Sequence, residues 1–107
     1  MDRQQLTFGV ARDGDEAVLS VAGEIDMNTA ESVYRQAVAL IDDGARRLVL
    51  DLGEVTFCDS LGVSALVRIY RHGAGVGCRM RVVHLRGYIA HVLQISGLDQ
   101  MFEVQAA

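Results

Sequence analysis

The residues most able to do chemistry stand next to one another at Asp59 and Ser60. A serine hydroxyl beside a carboxylate can cap a helix, act as a nucleophile or accept a phosphate, and these uses need different surroundings. A hydrolase nucleophile would occupy a G-x-S-x-G turn, but Cys58 stands where that pattern has its first glycine. The local sequence therefore disfavours catalysis and leaves capping and phosphorylation open.

Other catalytic and ligand-binding patterns are missing from the sequence. A P-loop needs a lysine, and all ten cationic residues are arginines. His72, His84 and His91 lack the spacing of metal ligands and are interpreted as surface or packing residues. Cys58 and Cys78 are too few for a zinc site or a disulfide scaffold. We therefore expect no enzyme activity, no cofactor, no metal and two buried, reduced thiols.

Composition limits the partners and the number of domains. The chain has 107 residues, half of them hydrophobic, which is enough for one domain spanning 1–107 with a real core. Its net charge of −4 argues against general binding of nucleic acid or anionic membranes. No run approaches the 18 or so apolar residues of a membrane span, and the N-terminus does not resemble a signal peptide. We expect a cytoplasmic protein.

The hydrophobic pattern predicts the elements that position these residues. Alternating or branched apolar runs predict strands at 6–11, 17–22, 47–52, 78–83 and 101–104. Apolar residues at helical spacing predict three helices. The first begins at Asn28, which forms a capping box with Glu31, and ends before Gly44; the second begins at Asp59–Ser60 and stops at Gly73; the third spans 86–96 and ends at Gly97. The order ββαβαβαβ indicates an α/β fold with a mixed sheet of four or five strands packed by helices.

Two corners of this predicted fold carry polar groups. Sheets of this kind place functional groups where a strand ends and the next helix begins. The sequences at these corners are Gly23-Glu24-Ile25-Asp26 and Cys58-Asp59-Ser60-Leu61-Gly62. Either Asp59 or Ser60 can serve simply as a helix cap, while backbone N–H groups and the helix dipole there can stabilise a phosphate on the serine. If the corners are neighbours, that phosphate lies near Glu24 and Asp26.

The same residues resemble the STAS-domain anti-anti-sigma factors, the antagonists of bacterial anti-sigma kinases. The likeness covers nearly the whole chain. It rests on the two corner sequences, on Val49-Leu50-Asp51-Leu52 followed by Val55-x-Phe57, and on Ile95-Ser96-Gly97-Leu98 followed by Phe102.

The resemblance implies a switch protein rather than an enzyme. In such families the unphosphorylated form binds an anti-sigma factor with a GHKL-type kinase fold and frees the sigma factor. The kinase phosphorylates the serine that aligns with Ser60 and thereby ejects its antagonist, and a PP2C-like phosphatase restores it. The partner-binding residues it implies are Glu24, Asp26, Asn28, Asp59, Leu61, Gly62, Val63 and Ser64, with Gly62 as the small residue that lets a partner approach.

Two departures from the family pattern and two alternatives remain. Leu61 stands where many relatives carry Ser or Thr, which leaves Ser64 as a weaker second acceptor. Cys58 stands where a larger aliphatic residue is common, so it is either a small packing residue or a redox-sensitive neighbour of Ser60.

The alternative functions are a constitutive STAS scaffold in a stress-sensing or lipid-transport complex and a small hydrolase or nucleotide-binding enzyme.

Charge is unevenly distributed along the chain. Residues 60–98 contain no Asp or Glu, whereas five arginines lie there. All fourteen acids lie in the remaining segments. We expect the acids that precede Ser60 to suit a basic partner surface, and the arginines to form either a solvated face or a second docking site.

Overall fold

The computed structural model describes residues 6–106. Its elements follow the predicted order ββαβαβαβ. The strands are β1 Thr7–Asp13, β2 Glu16–Ile25, β3 Arg47–Cys58, β4 Arg79–Leu85 and β5 Glu103–Ala106. The helices are α1 Ala30–Asp42, α2 Ser60–Ala74 and α3 Gly87–Ile95, and a 3-10 turn at Leu98–Gln100 precedes β5.

The five strands form one mixed sheet in the order β1-β2-β3-β4-β5. β1 and β2 are antiparallel because a short turn joins them, whereas β2 to β5 run parallel through helical connections. Each connection between parallel strands is a right-handed crossover, and each leads to the next strand in the same direction across the sheet. All three helices therefore lie on one face of the sheet. The predicted α/β fold with a mixed sheet is confirmed.

The helix-covered face of the sheet holds the core. Leu48, Leu50 and Leu52 alternate along β3, face the helices and are at most 1% exposed. They belong to one cluster with Val33 of α1 and Leu66 of α2, both fully buried. Burying each of these side chains contributes about 1.5–3 kcal/mol, so the core fixes where each strand ends and each helix begins.

The opposite side of the sheet, here called the open face, carries the intervening residues. The strand register places Ser20 of β2 beside Asp51 of β3, and Asp51 beside Val83 of β4. Arg81 of β4 pairs with Glu103 of β5 on the same face. Polar side chains are therefore frequent there, as expected for a face that no described helix covers.

The start of α1 differs from the prediction. Asn28 is not its N-cap, because the helix begins at Ala30 and Thr29 occupies the cap position without a capping side-chain hydrogen bond. Asp26 organises the turn instead: its carboxylate accepts from Asn28 N–H at 2.9 Å, and its carbonyl accepts from Ala30 N–H at 2.8 Å. The capping box with Glu31 was also wrong, since the Glu31 side chain is hydrogen-bonded to Arg68 of α2.

The end of α2 also differs, while the other two helix ends are confirmed. α2 continues past Gly73 to Ala74, and Gly75 is the C-cap residue. Gly73 is buried against Cys78, so its missing side chain serves the approach of the chain that enters β4 rather than a helix stop. α1 and α3 end before Gly44 and Gly97, whose φ angles of 103° and 76° are left-handed.

Candidate functional site

The two polar corners meet at the carboxyl end of the parallel strands. Ile25 at the end of β2 pairs with Cys58 at the end of β3, and the carbonyl of Ile25 accepts a hydrogen bond from Asp59 N–H at 3.1 Å. Glu24 lies beside Phe57 in the same register. The predicted neighbourhood of the Glu24–Asp26 corner and the Asp59–Ser60 corner is therefore present.

Asp59, not Ser60, caps α2. Its Oδ1 accepts from the N–H groups of Leu61 at 2.9 Å and Gly62 at 3.0 Å, with the extended backbone of an N-cap residue. Ser60 is the first residue of the helix and is exposed. Because the carboxylate satisfies the helix terminus, the Ser60 hydroxyl is not needed for capping and is presented to solvent.

The β2–α1 corner is held by its own hydrogen bonds. The hydroxyl of Thr29 donates to the carbonyl of Glu24 at 2.7 Å and accepts from Asp26 N–H at 2.9 Å. Glu24 and Asp26 are half-buried, and neither forms an ion pair with the described residues. Two acids without an ion-pair partner among the described residues therefore lie on a structured turn whose strand is hydrogen-bonded to Asp59.

Large exposed apolar side chains lie at the same edge of the sheet as this acidic corner. Met27 is 73% exposed, Phe57 42%, Leu61 49% and Tyr88, which follows the end of β4, 66%. The carboxyl ends of β2, β3 and β4 supply them, and these strands are neighbours in the sheet. We call these four residues the apolar rim. Exposed apolar residues gathered around polar groups are typical of a protein-binding surface.

The remaining residues of the predicted site differ in accessibility. Asn28 and Ser64 are exposed, and Val63 is half-buried against the core. Gly62 is buried, and a Cβ built on it would lie 2.5 Å from Cys58 Sγ and 2.9 Å from Ile25 Cγ2. The small size of Gly62 is thus explained by packing within the chain, between the start of α2 and the end of β2.

The sequence did not identify Met27 and Tyr88 as site residues. Met27 lies in the turn before α1, and Tyr88 is the second residue of α3. Both are large apolar residues at exposed positions. A large apolar residue outside the buried positions is a signal that the sequence contains, but recognising it requires the start of each helix to be known. Phe57 enters the sequence prediction only as part of the family pattern.

Cys58 has the properties of a packing residue. It is 2% exposed, and burial, followed by the charge of Asp59, raises the pKa of its thiol to about 12. Burial also raises the pKa of Cys78. A reactive thiol needs a lowered pKa and access to solvent, so neither cysteine resembles a redox sensor. Both are free and buried, as predicted.

The described part of the chain offers no metal centre and no membrane span. No group of three or more His, Cys, Asp or Glu side chains within residues 6–106 is arranged to hold a metal ion. No helix among these residues is long and apolar enough to cross a membrane. His72 and His84 each contact one carboxylate, Asp42 at 2.7 Å and Asp51 at 3.0 Å.

Comparisons with known proteins agree with this geometry. Residues 8–104 match a family model described as "Mlab, STAS domain". The anti-sigma-F factor antagonist RsfB of Mycobacterium tuberculosis is 30% identical over 99 residues, covering 92% of this chain and 80% of that protein. The anti-sigma-B factor antagonist of Bacillus subtilis is 25% identical over 101 residues, covering 94% of this chain and 92% of that protein.

A solved structure gives the same result. The crystal structure of an anti-sigma factor antagonist from Mycobacterium paratuberculosis superposes with a TM-score of 0.85 at 31% identity, covering 96% of this chain and 87% of that one. Sequence, fold and family model coincide over nearly all of the described residues. The chain therefore belongs to the STAS domain family.

Proposed function

We propose that this chain is an anti-sigma factor antagonist that works as a phosphorylation switch in the cytoplasm. Its unphosphorylated form binds an anti-sigma factor with a GHKL-type serine kinase fold and so frees a sigma factor. Phosphorylation of Ser60 by that kinase ends the complex, and a PP2C-like phosphatase restores the binding form. The observation that carries the proposal is the exposed Ser60 hydroxyl at the start of α2, released from capping by Asp59.

The surroundings of Ser60 suit a kinase substrate. Ser60 is the chain neighbour of Leu61, an exposed residue of the apolar rim, so a partner that covers Leu61 also covers Ser60. Glu24 and Asp26 add negative charge, which complements a basic partner surface. Binding and phosphoryl transfer then use the same face of the molecule.

A phosphate on Ser60 would gain little from the helix terminus. Asp59 already accepts hydrogen bonds from the N–H groups of Leu61 and Gly62, so the N–H groups that usually bind a phosphate at a helix start are occupied. The modification adds about 1.5 to 2 negative charges beside that carboxylate. Two unit charges about 4 Å apart repel by roughly 4 kcal/mol at an effective dielectric near 20. About 1.4 kcal/mol is tenfold in affinity, so rearrangement of this corner is sufficient to end a complex.

The phosphoacceptor is tested by incubating the full chain with its cognate kinase and ATP and measuring the intact mass. We expect one added phosphate on the native chain and on Ser64→Ala, and none on Ser60→Ala. Ser64 is the matched control because it is also exposed and lies one turn further along α2. Phosphate that persists in Ser60→Ala, or disappears only in Ser64→Ala, would contradict the assignment.

The switch itself is tested by binding of Ser60→Asp and Ser60→Asn to the kinase. The two side chains are nearly the same size, so their difference isolates the negative charge. We expect Ser60→Asn to keep more affinity than Ser60→Asp. Equal, undiminished binding by both would instead favour a constitutive scaffold.

A further inference from the structure

A second concave site lies on the open face, away from the Ser60 hydroxyl. It is a cavity of about 810 Å³, a size ordinary for small-molecule sites. Small residues of three adjacent strands line it, so the face is hollow there. They are Gly9 of β1, Ser20 and Ala22 of β2, and Gly53 of β3.

His84 lines this cavity in an unusual backbone conformation. Its φ of 62° makes it the one non-glycine residue of 6–106 with a left-handed backbone, at a break in the register between β4 and β5. Such conformations are costly and concentrate where a side chain must be aimed. The imidazole Nδ1 donates to Asp51 Oδ1 at 3.0 Å, and the side chain is 61% exposed. Because Nδ1 is engaged, Nε2 is the nitrogen left for another group.

Arg86 lines the same cavity and is anchored to the same backbone segment. Its Nε donates to the carbonyl of Gly53 at 2.9 Å, and its two terminal nitrogens have no hydrogen-bond or ion-pair partner among the described residues. Gly53 N–H in turn donates to Asp51 Oδ1 at 3.0 Å. Asp51, Gly53, His84 and Arg86 thus form one cluster. It is close-packed, because a Cβ on Gly53 would lie 3.2 Å from both Asp51 Oδ1 and His84 Cβ.

The charges of the cluster limit what it can bind. Burial raises the pKa of Asp51, but hydrogen bonds from Gly53 N–H and from His84, together with the His84 charge, outweigh it and hold the pKa below its usual value. That carboxylate is already paired, whereas Glu54 at the cavity is exposed and unpaired among the described residues. Glu54 disfavours a multiply charged anion, while a guanidinium fork suits a single carboxylate.

We propose that this cavity binds a small monocarboxylic acid, with the carboxylate on Arg86 and His84 and the apolar body over Gly9 and Ala22. Arg86 supplies two parallel N–H donors, and His84 Nε2 supplies a third when it is protonated. The small residues of β1 and β2 leave room for a short hydrocarbon chain or ring. This site does not depend on Ser60 and goes beyond the proposed switch.

The test is an NMR titration of the full chain with sodium hexanoate at constant ionic strength, with inorganic phosphate as the comparison anion. We expect saturable amide shifts at Gly9, Ala22, Gly53 and His84, with a Kd in the millimolar range, and weaker binding of phosphate. Absence of saturable shifts at the cavity, or tighter binding of phosphate, would overturn the proposal.

Three variants separate binding from structure. Arg86→Gln should raise the Kd about tenfold, whereas Arg71→Gln, an exposed arginine of α2 that does not line the cavity, should leave it unchanged. His84→Asn tolerates the left-handed backbone, so it keeps the local fold and removes the imidazole. We expect weaker hexanoate binding, with thermal stability lowered only by the loss of the hydrogen bond to Asp51. An unchanged Kd in both Arg86→Gln and His84→Asn would show that the cluster only holds the strands together.

Discussion

Replacing Gly62 by alanine tests how closely α2 packs against the end of β2. A Cβ at this position would lie 2.5 Å from Cys58 Sγ, 2.9 Å from Ile25 Cγ2 and 3.2 Å from the Ile25 carbonyl oxygen. Carbon atoms in contact normally lie about 3.5–4.0 Å apart, so the start of the helix must shift. That shift would move Ser60 and the capping carboxylate of Asp59 relative to the β2–α1 corner.

The magnitude follows from two opposing effects. In an open helical site, glycine to alanine stabilises by about 1 kcal/mol through helix propensity. Overpacking a filled interior costs about 1–3 kcal/mol, and the upper part of that range applies because Cys58 and Ile25 are both buried. We expect Gly62→Ala to lower the free energy of unfolding by about 1–2 kcal/mol, measured by urea denaturation followed by circular dichroism.

Two other glycines, Gly73 within α2 and Gly75 at its C-cap, serve as controls. A Cβ on Gly73 would lie 3.3 Å from Cys78 Cβ, and one on Gly75 would lie no closer than 3.5 Å to any atom. Gly75 also has φ −66°, which alanine adopts freely. The loss of stability should therefore decrease in the order Gly62, Gly73, Gly75, with the Gly75→Ala change within about 0.5 kcal/mol.

A double-mutant cycle with Cys58→Ala identifies the clash. Removing Sγ relieves the shortest contact, so Gly62→Ala should cost about 1 kcal/mol less in the Cys58→Ala background. A Gly62→Ala protein as stable as the native one, or a cycle without coupling, would refute the argument that this glycine is required by packing.

Three further predictions concern the capping carboxylate, the buried thiol and the paired acid of the open face. Asp59→Ala should lower the free energy of unfolding by about 1 kcal/mol in urea denaturation because two helix N–H groups lose their acceptor, and Asp59→Asn by less; equal losses would argue against capping. With a pKa of about 12, Cys58 is ionised in only about one molecule in ten thousand at pH 8, so a thiol reagent should label it only as urea unfolds the chain; rapid labelling of the native protein would contradict its burial. The lowered pKa of Asp51 means that its stabilisation is present above its ordinary pKa of 3.8 and is lost as the pH falls through its folded-state pKa. The difference in urea midpoint between native protein and Asp51→Asn should therefore shrink between pH 6 and pH 3, and a constant difference would exclude this linkage.

The sequence predicted the elements whose residues follow a simple period. The apolar stripe of α1 predicted that helix, and the capping ability of Asp59 or Ser60 predicted the start of α2. Only the structure could decide between those two residues. The carboxylate of Asp59 reaches two N–H groups at once, and that choice leaves Ser60 free.

Local competition explains the parts that were missed. Asn28 is an acceptable helix cap by residue type, but Asp26 organises the turn first and delays the helix to Ala30. β3 extends to Cys58 rather than ending near Leu52. Its register with β2 shifts twice, between Asp51 and Glu54 and again between Val55 and Phe57. An irregularity of this kind interrupts the two-residue period of a strand. The apolar alternation in the sequence therefore stops near Leu52 although the strand continues.

The apolar rim could not be predicted for a different reason. An exposed Tyr88 or Met27 is recognisable only after the strands and helices are placed, because residue type alone would assign either one to the core. The structure brings side chains from three separate connections to the same edge. Sequence separation between Met27 and Tyr88 is large, so no local pattern joins them.

The distribution of charge decides how the proposed switch must work. Arg68 is one of the five arginines of residues 60–98. It forms an ion pair with Glu31 at 2.9 Å and lies 3.9 Å from the centre of the Tyr34 ring, so its charge is used in the contact between α1 and α2. The acids at the Ser60 corner form no such pairs among the described residues. A basic partner drawn to Glu24 and Asp26 would be attracted more strongly, not less, by an added phosphate. Loss of the complex would then come from desolvation of the phosphate and from its repulsion by Asp59, which rearranges this corner, rather than from repulsion by the partner.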